Sequence, residues 1–489
     1  MLLLDRPAAV APARTGERRL TYIVLAGALL ATVALRLLYI GFSLGIDEGG
    51  VAFIAKAWGT GHGSLYGAYW LDRPPLLVAL YKLAVSGGAT GIRVLGIVAA
   101  LALVTITTVV TRAVAGERAA RIAAVLSAGL ASSIALASVY TPSELLAAVP
   151  AAGSIGCLVA THRRGQARWL VGAGLLAVAA ALIKQSFLDA GFAGAVFLLA
   201  SRGPRLRQLA AYVAGALIPL AGVGVWLAAA HLSPGSLLYA LFGFRIHALN
   251  VLAASSVPLQ VRLESLWLPI TGSGLLALLV IALRGLAVLR ADRVLAVTLA
   301  AWLGAGAVGV LGGGSYWPHY LIQLLAPAAV LAAVALAGMR AVPRAVVVAG
   351  LATVAIVGTI DAVGPTRATR ARSGVVDAGR YVRTHARPGD TQYVMYARAN
   401  VGYYTGLPSP YPYAWSLLVR AHPGATARLR QLLASPRRPT WIVGWQRPKA
   451  WGLDPGGATA RALHAHYRVV AHVHGHPIYH RTSSPRSHQ

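Results

Sequence analysis

The chain has 489 residues, 57% of them hydrophobic and only 12% charged, and its mean hydropathy is +0.64. Soluble domains carry roughly 25% charged residues, so this composition excludes an ordinary soluble protein and indicates a multi-pass membrane protein. The net charge of +30 arises from 44 basic and 14 acidic residues. Because the arginines stand in short clusters between apolar runs, and not in one stripe, we expect membrane lipids and no nucleic acid as partners.

The apolar runs predict about eleven membrane-spanning helices. The first run, 20–44, is too long for a signal-peptide core and has no clear cleavage site, so it is predicted to be a retained span after a cytoplasmic segment, 1–19. The predicted spans are 20–44, 92–110, 119–140, 145–160, 169–183, 187–200, 209–230, 266–283, 294–311, 320–338 and 345–360. The single cysteine, Cys157, lies inside one of them, which excludes an internal disulfide and a cysteine-based metal site.

Arginine placement predicts the orientation of these spans in a plasma membrane. Basic clusters occur at Arg14/Arg18/Arg19, Arg112/Arg118/Arg121, Arg163/Arg164/Arg168, Arg202/Arg205/Arg207, Arg284/Arg290/Arg293 and Arg340/Arg344. Basic loops favour the cytoplasm, so the alternate loops are expected on the outer face. The apolar segment 74–85 would reverse this alternation if it crossed the membrane. We therefore expect it to lie in the outer interface, within a first outer loop over 45–91.

Composition changes after residue 360, where spanning runs end. Short strand-like runs at 392–396, 440–444 and 467–473 alternate with helical stretches at 374–384 and 414–433. We expect a transmembrane domain over 20–361 and a small extracytoplasmic α/β domain over 362–489. The arginines of this region agree with an outer location, because long domains are translocated regardless of charge.

The predicted outer face collects acidic and basic residues in similar number: Asp47, Glu48, Asp72, Arg73, Glu144, Lys184, Asp189, Arg245, His247 and His319. Each has an ordinary structural interpretation, such as snorkelling for Lys184 or a helix-dipole contact for Glu144. Together, in so acid-poor a chain, they favour a site for group transfer from an anionic lipid-borne donor. A carboxylate there can accept a hydroxyl proton, and fixed cations can hold a phosphate.

Several of these residues stand in a recognisable pattern. The first loop carries Asp47-Glu48, Ala55-Lys56-Ala57-Trp58, Gly61, Tyr66, Asp72-Arg73-Pro74-Pro75-Leu76 and Arg93. Later segments carry Thr141-Pro142-Ser143-Glu144, Ile183-Lys184-Gln185, Trp317-Pro318-His319-Tyr320, Gln323, Pro327 and Tyr403-Tyr404. This ordered set resembles GT-C glycosyltransferases, and more narrowly the group of protein O-mannosyltransferases and aminoarabinose (ArnT-like) transferases. Two departures are Arg73, where the family more often has Lys, and Glu144, where it usually has Asp.

The resemblance implies a GT-C type polytopic helical fold and an inverting sugar transfer from a polyprenyl-phosphate sugar to an acceptor hydroxyl at the outer membrane face. It implies Asp47 as general base, with Glu48 orienting or assisting it. Arg73 and Lys184 are implied to bind the donor phosphate, and His319 to contact it. Glu144 would hold the sugar or the acceptor. Asp72, Arg245 and His247 complete the predicted substrate-binding set.

Other interpretations remain open from the sequence. The chain could be a transporter or flippase for a polar lipid or glycan, although its charges lie mostly at loop ends and not at the membrane midplane. It could also be a non-catalytic cell-envelope scaffold. Alternate histidines at His472, His474 and His476 would share one strand face and could bind a metal, but solvated strand residues are the more ordinary interpretation. We expect no metal site and no certain cofactor, with a divalent cation possible. The acceptor can be a protein, a lipid or a glycan.

Overall fold

The structure is a computed structural model and describes residues 15–60, 63–254 and 257–482. Arg14 and Gly61, which the sequence analysis used, lie outside those residues, as does most of the segment 1–19. The chain packs into two compact units. The first unit comprises Met1–Ile40, Arg93–Trp226 and Val257–Val363, and the second comprises Gly41–Ile92, Leu227–Ser256 and Gly364–Gln489. The predicted domain boundaries 1–19, 20–361 and 362–489 remain predictions.

Helices make up most of the described chain. Up to residue 253 they are α1 (Thr15–Leu37), α2 (Ile46–Ala57), α3 (Pro75–Ala84), α4 (Gly88–Ala131), α5 (Ser143–Arg164), α6 (Arg168–Ile183), α7 (Asp189–Ala200), α8 (Arg205–Ala229), α9 (Pro234–Leu238) and α10 (Phe244–Ala253). They continue as α11 (Leu259–Glu264), α12 (Trp267–Gly272), α13 (Leu275–Val288), α14 (Arg293–Leu311), α15 (Leu325–Ala337) and α16 (Ala341–Asp361). A π-helical segment, Tyr239–Gly243, joins α9 to α10, and a 3₁₀ segment, Pro318–Leu324, precedes α15.

The C-terminal part combines shorter helices with a sheet. Its helices are α17 (Val363–Arg372), α18 (Val375–His385), α19 (Ala399–Thr405), α20 (Ser416–Ala421), α21 (Ala425–Ala434) and α22 (Ala458–His466). Its strands are β1 (Gln392–Val394), β2 (Trp441–Val443), β3 (Tyr467–Val473) and β4 (His476–Arg481). The sheet order is β1-β2-β4-β3, with β1 and β2 parallel and the other pairs antiparallel. The predicted class, a helical membrane protein with a small C-terminal α/β domain, is confirmed.

Within the described residues, eight helical segments are long and apolar enough to cross a membrane, or nine if the bent pair Leu259–Gly272 and Leu275–Ala291 is one span. The eight are Thr15–Leu37, Pro75–Ala131, Ser143–Arg164, Arg205–Ala229, Pro234–Ala253, Arg293–Leu311, Pro318–Ala337 and Ala341–Arg372. On α8 and α16 large apolar side chains such as Leu217, Val225 and Val346 are exposed. Such surfaces are stable facing lipid, not water.

Several predicted boundaries need correction. The first span was predicted to end at residue 44, but α1 ends at Leu37 and a turn follows. The predicted span 92–110 falls within α4, and the predicted span 119–140 extends nine residues beyond the end of α4 at Ala131. Between the two, α4 breaks at Ala115 and Gly116, where Gly116 takes the positive φ of +82° that a glycine permits. The predicted spans 169–183 and 187–200 coincide with α6 and α7, which are shorter than a spanning helix. The region around 234–253, predicted as loop, is helical.

Packing in the first unit depends on small residues. A side chain added at Gly174 would lie 2.0 Å from the Tyr212 carbonyl oxygen, and one at Gly285 would lie 2.0 Å from that of Leu331. These glycines therefore let α6 approach α8, and α13 approach α15, at backbone distance, as is usual between membrane helices. α15 is buried along almost its whole length and forms the centre of the unit.

The core of the second unit's C-terminal part is formed by one helix face and the sheet. Its buried members are Val375, Ala378, Val382, Val394, Val401, Trp441, Val443 and Ile478. The residues of α18 in this set are spaced by three and four positions, so they share one face of the helix. The central strand β2 is buried at each position, as expected for a strand covered on both faces.

Candidate active site

Asp47 and Glu48 are adjacent in the first turn of α2, but their side chains have different surroundings. Glu48 is 5% exposed, and its Oε2 accepts a hydrogen bond of 2.8 Å from the backbone N–H of Gly45, the residue that precedes α2. That bond satisfies one of the unpaired N–H groups at the helix start. Asp47 is exposed, and its Oδ1 accepts a hydrogen bond of 3.1 Å from Nε1 of Trp415. Glu48 thus stabilises the helix end, while Asp47 presents its carboxylate outward.

The chain leading into α2 is held by residues from the C-terminal part of the second unit. Tyr404 accepts a hydrogen bond of 2.7 Å from the N–H of Leu44, and Asn400 Nδ2 donates one of 3.0 Å to the Leu44 carbonyl. The Arg370 guanidinium donates to the carbonyl of Ser43. These bonds fix the backbone at Ser43 and Leu44, just before α2, so the position of Asp47 is set by residues more than three hundred positions away in the sequence.

Two glycines after the acidic pair allow this close packing. A Cβ atom at Gly49 would lie 2.3 Å from the Cβ of Asn400. One at Gly50 would lie 2.3 Å from Cζ2 of Trp415. Both distances are shorter than any side-chain contact, so only glycine fits, and α2 packs directly on α19 and on the indole that contacts Asp47.

Asp72 lies between two arginines of the second unit. Its Oδ1 is 2.7 Å from Nη1 of Arg73, and its Oδ2 is 3.2 Å from Nη2 of Arg245. The Tyr66 hydroxyl donates a bond of 2.7 Å to the Arg73 carbonyl, and burial raises the pKa of Tyr66 well above its usual value, so this hydroxyl stays protonated. The triad carries one net positive charge and is partly exposed. Guanidinium groups fixed in this way suit a phosphate, because their planar donor pairs match its oxygens.

An aromatic cluster surrounds Trp70 in the same unit. Its ring centroid lies 4.9 Å from that of His422 and 5.0 Å from that of Phe244. Tyr239 and Tyr413 complete the cluster, with centroids 6.4 and 5.9 Å from Trp70. Burial lowers the pKa of His422, so the neutral ring is favoured in the fold. The cluster joins the first loop, the helical region 234–253 and the C-terminal part. The predicted substrate residue His247 borders it, 6.4 Å from the Tyr239 ring.

In the first unit, Glu144, Lys184 and His319 come together. Lys184 Nζ is 2.7 Å from Glu144 Oε1, and His319 Nε2 is 3.8 Å from the same oxygen. The Glu144 side chain is 2% exposed and the Lys184 side chain is 6% exposed. Ser143 donates 3.0 Å to Glu144 Oε2, and the Tyr320 ring lies 5.1 Å below the Lys184 ammonium. The resulting site is buried and closely paired, with the acid at the start of α5 and the base at the end of α6.

Asp189, also predicted for the outer face, has its own partner in the first unit. Its Oδ1 accepts a hydrogen bond of 3.1 Å from Gln323 Nε2, which also donates 3.1 Å to the Ser186 carbonyl. Gln323 belongs to the 3₁₀ segment that carries His319, and Gly309 on α14 leaves room for its amide. The amide therefore joins α7 to the segment before α15.

The three histidines His472, His474 and His476, weighed in the sequence analysis as one face of a single strand, do not lie on one strand. β3 ends at Val473 and β4 begins at His476, so His472, His474 and His476 straddle a hairpin turn. His474 instead contacts Asp377 at 2.9 Å, and His476 stacks on Trp445 with centroids 3.8 Å apart. Across residues 15–60, 63–254 and 257–482 there is no group of three or more His, Cys, Asp or Glu side chains suited to a metal ion.

The structure groups the predicted residues into sets that sequence reasoning did not distinguish. Asp72, Arg73 and Arg245 form one set, and Glu144, Lys184 and His319 form another, one in each unit. The sequence analysis missed Trp415 and His422. Neither carries a sequence signal, since single aromatic residues are common in such a chain and their partners are distant. Asn400, also missed, sits three residues before Tyr403-Tyr404, which the sequence analysis did select.

Solved structures of membrane glycosyltransferases share this architecture. ArnT from Cupriavidus metallidurans in the apo state matches with a TM-score of 0.66 and 16% identity, covering 96% of this chain and 100% of that one. ArnT from the same organism bound to undecaprenyl phosphate matches with a TM-score of 0.59 and 16% identity, covering 96% and 99%. The apo oligosaccharyltransferase of Archaeoglobus fulgidus matches with a TM-score of 0.57 and 15% identity, covering 97% and 75%. No protein-family model and no curated protein matches the chain.

These likenesses define the class of fold: the chain has the architecture of GT-C glycosyltransferases. Within that class it has the fold of the ArnT-like group, over nearly the whole of both chains. The resemblance inferred from the first-loop residues is thus confirmed at the level of fold.

Proposed function

We propose that this protein is an inverting glycosyltransferase that moves a sugar from a polyprenyl-phosphate donor to an acceptor hydroxyl at the outer face of the plasma membrane. The observation that carries the proposal is the exposed carboxylate of Asp47, fixed at the first turn of α2 by the Trp415 indole. The GT-C fold supports the class of reaction. The undecaprenyl phosphate in one ArnT structure supports the class of donor.

In the proposed reaction, Asp47 accepts the proton of the acceptor hydroxyl as its oxygen attacks the anomeric carbon of the sugar. The bond between that carbon and the phosphate oxygen breaks, and polyprenyl phosphate leaves with the bonding electrons. The new glycosidic bond forms on the face opposite the leaving group, which inverts the anomeric configuration. The proton on Asp47 then passes to solvent. Glu48 assists by fixing the helix turn that carries Asp47.

We propose that the phosphate of the donor binds positively charged side chains. Arg73 and Arg245 form a pair held at fixed separation by Asp72, and the pair keeps one net positive charge. A phosphate that gains charge as it leaves is stabilised by such preorganised donors. Lys184 and His319 are proposed as further phosphate ligands, and Glu144 and His247 as sugar or acceptor ligands.

The proposal is tested by a labelling assay. Purified protein is incubated with a panel of radiolabelled polyprenyl-phosphate sugars and a membrane extract. We expect one donor to label an extract component, and Asp47→Asn to reduce transfer by about a thousand-fold, within the range of general-base catalysis. Asp377→Asn is a matched control, because Asp377 also lies in the first turn of a helix and contacts a ring nitrogen, at 2.9 Å. Wild-type turnover by the Asp47→Asn variant would exclude the base assignment. Movement of intact donor lipid without sugar transfer would favour a flippase.

A further inference from the structure

Trp415 stands immediately before α20 and reaches the carboxylate of Asp47. Its Nε1 lies 3.1 Å from Oδ1 of Asp47, across 368 residues of sequence. Its ring is fixed from the side, since Cζ2 and Cε2 face the glycine surface of Gly50 on α2. Both residues belong to the second unit. The indole that donates the hydrogen bond therefore packs against α2, the helix that carries Asp47.

The two carboxylate oxygens of Asp47 differ in their hydrogen bonding. Oδ1 accepts the indole N–H, whereas Oδ2 has no hydrogen-bond partner within residues 15–60, 63–254 and 257–482. An indole N–H is a donor only and does not titrate in the range of protein stability. It therefore orients the carboxylate without competing for the proton that the carboxylate accepts.

We infer that Trp415 is a positioning residue, which holds Asp47 through Oδ1 so that Oδ2 faces the acceptor hydroxyl. This inference rests on the proposed function of Asp47 as general base. It adds that the C-terminal part of the second unit, which supplies Trp415, is required for the chemical step.

The alternative is that the indole only packs on Gly50. Two replacements separate packing from hydrogen bonding. Benzothienylalanine at position 415 keeps the bicyclic ring and replaces the N–H with sulfur, and Trp415→Phe removes part of the ring as well. Trp451→Phe is the matched control, because Trp451 is an exposed tryptophan of the same unit whose ring contacts Arg420 instead, at 5.3 Å.

The first measurement is the steady-state kinetics of sugar transfer, in which kcat and the donor KM are compared separately. We expect both replacements at position 415 to lower kcat by about ten-fold to a hundred-fold, as for a lost hydrogen bond to a charged group, with a donor KM within about two-fold of wild type. In an Asp47→Asn background the same replacements should cause no further loss. A benzothienylalanine variant with wild-type kcat would overturn the inference.

The second measurement needs no turnover. In protein labelled with ¹⁵N at the indole nitrogens, the Trp415 signal is assigned by its absence from Trp415→Phe. We expect this signal to shift when Asp47 is replaced by Asn, because the indole N–H then loses its carboxylate acceptor. An indole signal that is the same in wild type and Asp47→Asn would overturn the contact itself. If the signal responds but Asp47→Asn transfers sugar at the wild-type rate, the proposed function fails and the contact stands.

Discussion

Asp47 and Glu144 are both carboxylates in the first turn of a helix, one in each compact unit, and their surroundings differ in burial and in charge. Asp47 is exposed, accepts one neutral hydrogen bond and keeps its second oxygen open. Glu144 is buried and faces a lysine at 2.7 Å and a histidine at 3.8 Å. An acid whose charge is already matched inside the protein is a poor proton acceptor. The comparison therefore favours Asp47 over Glu144 as the proton acceptor of the proposed reaction, and Glu144 for charge fixation or ligand holding.

The largest effect that we expect is on the free energy of unfolding, and it distinguishes Glu144 from Asp47. Glu144→Gln leaves the buried Lys184 ammonium without its acid, which should destabilise the protein by about 3–5 kcal/mol. The double variant Glu144→Gln with Lys184→Met should recover most of that loss. Asp47→Asn, at an exposed position, should change stability by less than about 0.5 kcal/mol. Thermal unfolding of the purified variants measures each difference, and equal losses for Glu144→Gln and Asp47→Asn would contradict the contrast.

The next effect concerns the donor. Arg73→Ala should weaken binding of the polyprenyl-phosphate sugar by about ten-fold to a hundred-fold, because a charge-assisted bond to the phosphate is lost. Arg73→Lys should keep part of the affinity, since charge remains but the planar donor pair does not. The direct measurement is equilibrium binding of labelled donor to the detergent-solubilised protein. Arg372→Ala, at an exposed arginine of α17, is the control. Unchanged donor affinity in Arg73→Ala would remove Arg73 from the site.

The sequence predicts the helical class, because hydropathy and charge act locally. The spans follow from apolar runs, and charge placement predicts one membrane face for Glu144, Lys184 and His319. It does not predict that these three form a group separate from Arg73. The region 234–253 was missed because Arg245 and His247 interrupt its apolar run. β4 was missed because its His, Pro and Arg residues resemble loop composition. The Asp47–Trp415 contact joins positions 368 residues apart, and no local pattern encodes such a pairing.

A smaller effect tests how closely α2 packs against α19 beside Asp47. Gly49→Ala places a Cβ 2.3 Å from that of Asn400, so the α2–α19 contact must open, at a cost of about 1–3 kcal/mol. Gly27→Ala on α1 is a matched control, since nothing lies within 4 Å of the added atom there. That control should be neutral or slightly stabilising, because alanine favours helix more than glycine does. Thermal unfolding compares them, and a Gly49→Ala variant as stable as Gly27→Ala would show that the contact is loose.

The smallest effect is a pH dependence from the aromatic cluster. Burial lowers the pKa of His422 below its usual 6.5, and the nearby Arg428 and His247 act in the same direction. The unfolded chain therefore binds a proton at His422 more readily than the folded protein does. Stability from this residue is complete above about pH 6.5, falls as the pH decreases below that value and levels off below the folded pKa.

The measurement is the difference between two thermal unfolding curves taken from pH 7.5 to pH 5. Burial also lowers the pKa of His476 and His480, so the wild-type curve alone contains several contributions of the same sign. His422→Phe keeps an aromatic ring against Trp70 and removes one titrating group. Its stability should fall less steeply toward acid than that of wild type. Parallel curves would contradict the prediction. They would mean that His422 can be protonated within the aromatic cluster without loss of folding free energy.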